Sequence, residues 1–135
     1  MDDRERFGEG TAVRRAVLGD AHVDRALARE TEFNKEFQDL ITRYAWNEIW
    51  NRTGLTHKER RLIVIGTMIA LGKWDEFRLH VRAALESRDL SIDDVKEILL
   101  QQAIYCGVPA ANTAFREARD VIEEVSGAGR RKTAR

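Results

Sequence analysis

Proline and cysteine are nearly missing from this chain: 135 residues contain one of each, Pro109 and Cys106. A single cysteine excludes an internal disulfide framework and any CxxC redox pair. No apolar run approaches the roughly 18 residues that a membrane span needs. The first ten residues, MDDRERFGEG, are charged and lack the apolar centre of a secretory signal. Net charge is absent too, with 23 Lys and Arg set against 23 Asp and Glu. That balance argues against a nucleic-acid or anionic-membrane surface, either of which needs a basic excess. The expectation is a cytoplasmic protein with neither kind of partner. Glycine-rich phosphate loops are missing as well. The three histidines, His22, His57 and His80, stand too far apart in sequence for an HxxxH or HExxH metal site.

What is present is helical punctuation. The length fits a single domain, expected over residues 1–126. The tail GAGRRKTAR holds four basic residues, and residues 127–135 read as a disordered, solvated end. A first helix is expected to end at Gly19, because glycine readily takes the left-handed position that follows a helix. Apolar residues from Val23 to Trp46 recur at helical spacing, which predicts one long helix over 22–50 or two with a break near Thr31. NRTGLTHKE reads as a loop, with Thr56 and Glu59 forming a capping box for the next helix. That helix is apolar on nearly every side from Leu62 to Leu71, the mark of a buried helix. A chain this short needs other subunits to cover it, so an oligomer is expected. Gly72 breaks the pattern before a helix over 73–87. Ser91 caps the following helix, with Leu90 and Val95 placed as a hydrophobic staple. Gly107 ends that helix and Pro109 opens the last one, which runs to about residue 125. The fold class is all-α.

The stretch EFRLHVRAAL, residues 76–85, carries the main chemical candidate. At about 100° per residue, Trp74, Phe77, Val81, Ala84 and Leu85 form one apolar stripe. His80 borders it, with Glu76 one turn before and Lys73 one turn before that. A margin suits an acid–base group whose tautomer and pKa a carboxylate can tune; an ordinary i,i+4 helix pair has the same spacing. Arg78 points to the far side, toward solvent or an intersubunit salt bridge. His22 and His57 are expected to be exposed, His22 otherwise as a capping residue, and His57 neutral because it lies in a first helical turn. Cys106, Trp46 and Trp50 read as packing residues. Arg52 stands in a loop, where ligand contacts often lie, and is equally readable as a surface arginine.

Four segments taken together resemble the carboxymuconolactone decarboxylase family of the alkylhydroperoxidase D-like group. They are VRRAVLGDAHVDR (13–25), EFNKEFQDLITRYAW (32–46), LHVRAA (79–84) and AIYCGVPAANTAF (103–115). The resemblance implies a compact orthogonal domain of about six helices, assembled as a ring of six built from dimers. Thiol peroxidases of the wider group carry CxxCxxxH where this chain has Lys73, Glu76 and His80, so a thiol–disulfide cycle has no thiols to run on. Thr53 departs from the expected RPGL after the second tryptophan.

The resemblance further implies decarboxylation of 4-carboxymuconolactone to beta-ketoadipate enol-lactone and carbon dioxide, in protocatechuate breakdown. The departing carboxylate sits on a carbon conjugated through a double bond to the lactone carbonyl. That carbonyl accepts the electrons, so no cofactor and no metal is expected. The protein must hold an anionic lactone, stabilise a growing oxyanion and deliver a proton. His80 is the expected proton donor with Glu76 orienting it. Arg15, Arg52 and Arg61 are the expected carboxylate binders, with Arg14 and Arg43 inseparable from them by sequence. Arg61 falls where the peroxidase branch has a glutamate of its proton relay. Lys73 is a candidate for the oxyanion or a solvated partner of Glu76. Two other readings stay open: a lyase or isomerase acting on a related carboxylated lactone, and a non-catalytic helical oligomer that binds a small acid or a protein.

Overall fold

The computed structural model describes the backbone of residues 1–133 and the side chains of residues 1–127. Among the described residues there is no strand, and seven α-helices occur where about six were expected. They are α1 (Asp3–Leu18), α2 (Asp20–Ala28), α3 (Lys35–Ile41), α4 (His57–Leu71), α5 (Trp74–Glu86), α6 (Ile92–Tyr105) and α7 (Val108–Thr133). A π-helical segment, Thr42–Ile49, continues α3. The last helix, expected to stop near residue 125, runs on to Thr133, and the tail expected at 127–135 falls almost entirely outside the residues whose side chains are described. None of these helices is long and apolar enough to cross a membrane. The chain divides into two compact units, one of residues 1–57 and the other from residue 58 onward.

In the first unit, Asp2 caps α1 by accepting the Glu5 N–H at 2.9 Å, while Glu5 accepts the Asp2 N–H at 3.2 Å. Gly19 closes the helix at φ 90°, a conformation costly for any residue with a Cβ, and its N–H returns to the Arg15 carbonyl. The turn between Arg29 and Asn34 is the break expected near Thr31. The switch from α to π geometry falls at Thr42, whose hydroxyl bonds back to the Gln38 carbonyl at 2.7 Å. Trp50 N–H then reaches the Ala45 carbonyl, five residues back. Gly10 brings α1 against this segment so closely that an added Cβ would stand 2.1 Å from the Thr42 carbonyl oxygen. The Trp46 and Trp50 rings lie 5.5 Å apart. His57, expected to be exposed, is half-buried: its Nε2 stands 3.1 Å from the Trp50 carbonyl oxygen and its ring meets the Trp50 edge.

The second unit has the larger core. Ile65 and Ile69 of α4, Phe77, Val81 and Ala84 of α5, Val95 and Leu99 of α6, and Ala114, Ala118 and Val121 of α7 are all buried in one cluster. The Ser91 cap forms as expected, with Asp94 completing the box. Leu90 and Val95, the two ends of the expected staple, both enter the core. Cys106 is half-buried and packs against the same cluster. Helix α4 is not enclosed on every side within the chain. Ile63 is 57% and Leu71 62% exposed, and they line an open groove of about 680 Å³ between α4 and α6.

Candidate active site

Helix α5 carries the two candidate proton-handling residues. Gly72 turns the chain at φ 66°, Lys73 takes the N-cap position, and Trp74 meets Phe77 edge-on at 5.4 Å. The outer side of the helix is clamped to α7. Arg78 donates to Glu117 at 2.8 Å and to Glu124 at 3.0 Å, and Arg82 also pairs with Glu124. Arg78 was expected to face solvent or another subunit. It is instead an intrachain anchor, and the hydrogen bond to Glu117 raises its pKa.

His80 is more enclosed than its marginal position predicts, with 8% of its surface exposed and Nδ1 shut off from solvent. Its neighbours along the helix, Phe77, Val81 and Ala84, have essentially no exposure. An imidazole in such apolar company exchanges protons under low effective dielectric, where the orientation of its tautomer matters most. Glu76, one turn earlier, is exposed, as is Lys73. The structure therefore sets a dry histidine one turn from a wet carboxylate.

The arginines separate sharply once their surroundings are known. Arg61, on α4, has no exposed surface, and its Nε donates to Asp89 Oδ2 at 2.8 Å. Arg15 lies in the first unit and spans Asp20 at 3.1 Å and Asp24 at 2.9 Å, which together raise its pKa, the Asp24 bond most. Arg43 pairs with Asp3 at 3.0 Å. Arg52 is exposed in the loop after the π segment. Arg14 is the surprise. It is 7% exposed, its Nε is buried without a hydrogen-bond partner, and burial lowers its pKa. Among the described residues no carboxylate pairs with it. Of two adjacent arginines, one turns in and the other turns out to Asp20 and Asp24. Among the described residues no three His, Cys, Asp or Glu side chains gather as metal ligands would.

Helix α5 and its N-cap thus carry Lys73 and Glu76, and no thiol, on the two turns before the buried His80 of an all-helical protein. The model of the Carboxymuconolactone decarboxylase family matches residues 35–120, and the chain belongs to that family. The 4-carboxymuconolactone decarboxylase of Acinetobacter baylyi is 40% identical over 125 residues, 93% of this chain and 92% of that protein. A nitrosuccinic acid decarboxylase of Metarhizium robertsii is 36% identical over 129 residues, 96% of this chain and 90% of that protein. A 4-carboxymuconolactone decarboxylase sequence from Pseudomonas putida is 60% identical over 45 residues, 33% of this chain and 94% of that sequence. The family indicated by the four sequence segments is the family found.

Proposed function

We propose that this protein is a carbon–carbon lyase that decarboxylates 4-carboxymuconolactone to beta-ketoadipate enol-lactone and carbon dioxide. The observation that carries the reading is identity of 40% along 93% of the chain to a decarboxylase of that name. The enclosed His80 on α5 supplies a group fit for the proton transfer. In the reaction, the bond to the departing carboxylate breaks and its electron pair passes through the ring double bond to the lactone carbonyl. His80 then gives its proton to the carbon beside that carbonyl and recovers one from water. Glu76 favours the donating tautomer. Arg52, in its exposed loop, attracts the anionic lactone at long range. Arg15 and Arg61 already hold aspartates and act by positioning the helices that bear them.

The relative from Metarhizium favours a second reading, decarboxylation of another dicarboxylic acid of similar size. Both named substrates carry two carboxylates, and decarboxylation removes one of them. We also propose a homo-oligomer, a ring of six by family resemblance, supported by the exposed apolar residues Ile63 and Leu71 of α4.

The test is turnover of freshly generated 4-carboxymuconolactone, followed by carbon dioxide release and by the fall in ultraviolet absorbance as the double bond leaves conjugation. Wild type should turn over with chelator present, and His80→Ala should lose at least about a hundredfold in kcat. No turnover by wild type overturns the substrate assignment. Near-normal turnover by His80→Ala removes the histidine from the mechanism.

A further inference from the structure

Helix α2 sorts its charges onto opposite sides. Asp20 and Asp24 lie one turn apart and hold Arg15. His22, Arg25 and Arg29 follow at i, i+3 and i+7, within about 60° of one another and roughly opposite the two aspartates. Arg14 of α1 comes close enough to His22 to oppose its protonation. His22 is half-buried, and burial first, then Arg14, Arg25 and Arg29, push its pKa down. Four groups able to carry positive charge thus share one side of the α1–α2 pair. Among the described residues, none of the three arginines has a carboxylate partner, whereas Arg15, Arg43, Arg61 and Arg78 each have one.

This arrangement works against folding. Arg14 is more than nine-tenths buried with its Nε unbonded, which penalises its charge, and three arginines oppose protonation of His22 beside it. A single bound anion would relieve all of these penalties together. An arginine fork recognises a carboxylate by two parallel hydrogen bonds, and exposed Arg25 and Arg29 add attraction at longer range.

Resting on the decarboxylase reading, we infer that the Arg14–His22–Arg25–Arg29 side of the α1–α2 pair binds the carboxylate that the substrate retains. Reaction energetics decide between the two carboxylates. A cation held tightly to the departing group stabilises the ground-state anion more than the neutral carbon dioxide forming from it, which slows the reaction. Binding energy directed at the retained carboxylate carries no such penalty, because its charge is the same before and after the reaction. The cationic cluster is therefore suited to anchoring and unsuited to the leaving group.

The experiment measures steady-state decarboxylation of 4-carboxymuconolactone and calorimetric binding of tricarballylate, an unreactive tricarboxylate. It compares the full chain with Arg14→Met, Arg14→Lys and Arg25→Glu, and with Lys35→Gln as a surface-charge control. Methionine keeps an apolar stem in the buried space, and glutamate at position 25 supplies Arg14 with an internal anion. Arg14→Met and Arg25→Glu should each raise KM at least roughly tenfold while kcat stays within about threefold, with Arg14→Lys between them and wild type. Tricarballylate binding should weaken in parallel, and Lys35→Gln should match wild type. Unchanged KM and unchanged tricarballylate binding in Arg25→Glu overturn the inference, whether or not Arg14→Met folds. Arg14-dependent tricarballylate binding without turnover of the lactone keeps the carboxylate seat and discards the decarboxylase reading. Turnover of the lactone with all variants alike does the reverse.

Discussion

Arg61 Nε donates to Asp89 Oδ2 at 2.8 Å, and the arginine is wholly enclosed while the aspartate side chain is 38% exposed. The pair ties the second turn of α4 to the turn after α5. Removing one member of such a pair leaves a buried charge without its counter-ion. Asp89→Asn should therefore cost about 2–3 kcal/mol in urea unfolding, with the denaturant slope unchanged. A loss below about 0.5 kcal/mol, the range of an ordinary surface change, would show the pair to be dispensable.

The approach of α1 to the π segment admits no side chain at residue 10. A Cβ there would lie 2.1 Å from the Thr42 carbonyl oxygen and 3.0 Å from its carbon, both backbone atoms that cannot rotate away. Gly10→Ala should destabilise by at least about 2 kcal/mol. Gly8 meets nothing within 4 Å, so Gly8→Ala should be neutral or stabilising. Thermal unfolding of the two variants side by side checks the contrast.

Arg88 occupies the left-handed region at φ 65° without being a glycine. The Leu90 N–H closes this turn onto the Ala84 carbonyl. Arg88→Gly should stabilise by about 0.5 kcal/mol, the relief of left-handed strain slightly exceeding the added freedom of the unfolded chain. A loss of stability on this substitution would show that the arginine side chain contributes more than its backbone strain costs.

His22 makes stability depend on pH. Its folded pKa is lowered from the ordinary 6.5 by burial first and by Arg14, Arg25 and Arg29 next. The folded state thus binds fewer protons than the unfolded state over that window. Stability is complete above about pH 6.5, declines as pH falls toward the lowered folded value, and levels off below it. His22→Gln should flatten this slope in unfolding curves taken between about pH 5 and 7. An unaltered slope assigns the dependence to other groups.

Glu76 and His80 should respond very differently to substitution, although they stand one turn apart. Glu76 is exposed, so its influence on the buried imidazole is weakened by water. Glu76→Gln should lower kcat by less than about tenfold and shift the acid limb of the pH–rate profile, with KM nearly constant. A loss as large as that of His80→Ala would make the carboxylate a direct participant.

Much of the fold was legible because its breaks use residues with one physical purpose. Gly19, Gly72 and Gly107 all adopt positive φ where helices were expected to end. Ser91 caps where its spacing to Asp94 permits, and the Phe77, Val81 and Ala84 stripe is the buried face of α5. The π segment was hidden because Thr42 to Ile49 carries the same apolar rhythm as an α-helix. Arg61 and Asp89 are separated by 28 positions, a pairing that no local pattern encodes. His80 was placed on a margin because a single helix wheel cannot report what other helices cover. The outward turn of Arg15 follows from Asp20 and Asp24, both visible in sequence; the inward turn of Arg14 follows only from packing.

The wide turns of residues 42–49 have a consequence for how this protein can change over generations. Substitutions there leave the hydrogen-bond ladder intact. Deleting one residue would let the ladder relax to ordinary α geometry, a local gain, yet rotate every later position of the segment about the helix axis. Trp46 would leave its buried seat, and Asn47 would leave its close approach to Gly10. The length of this stretch is thus more strongly constrained than its composition, and related sequences should differ there by exchange of residues rather than by gain or loss of them.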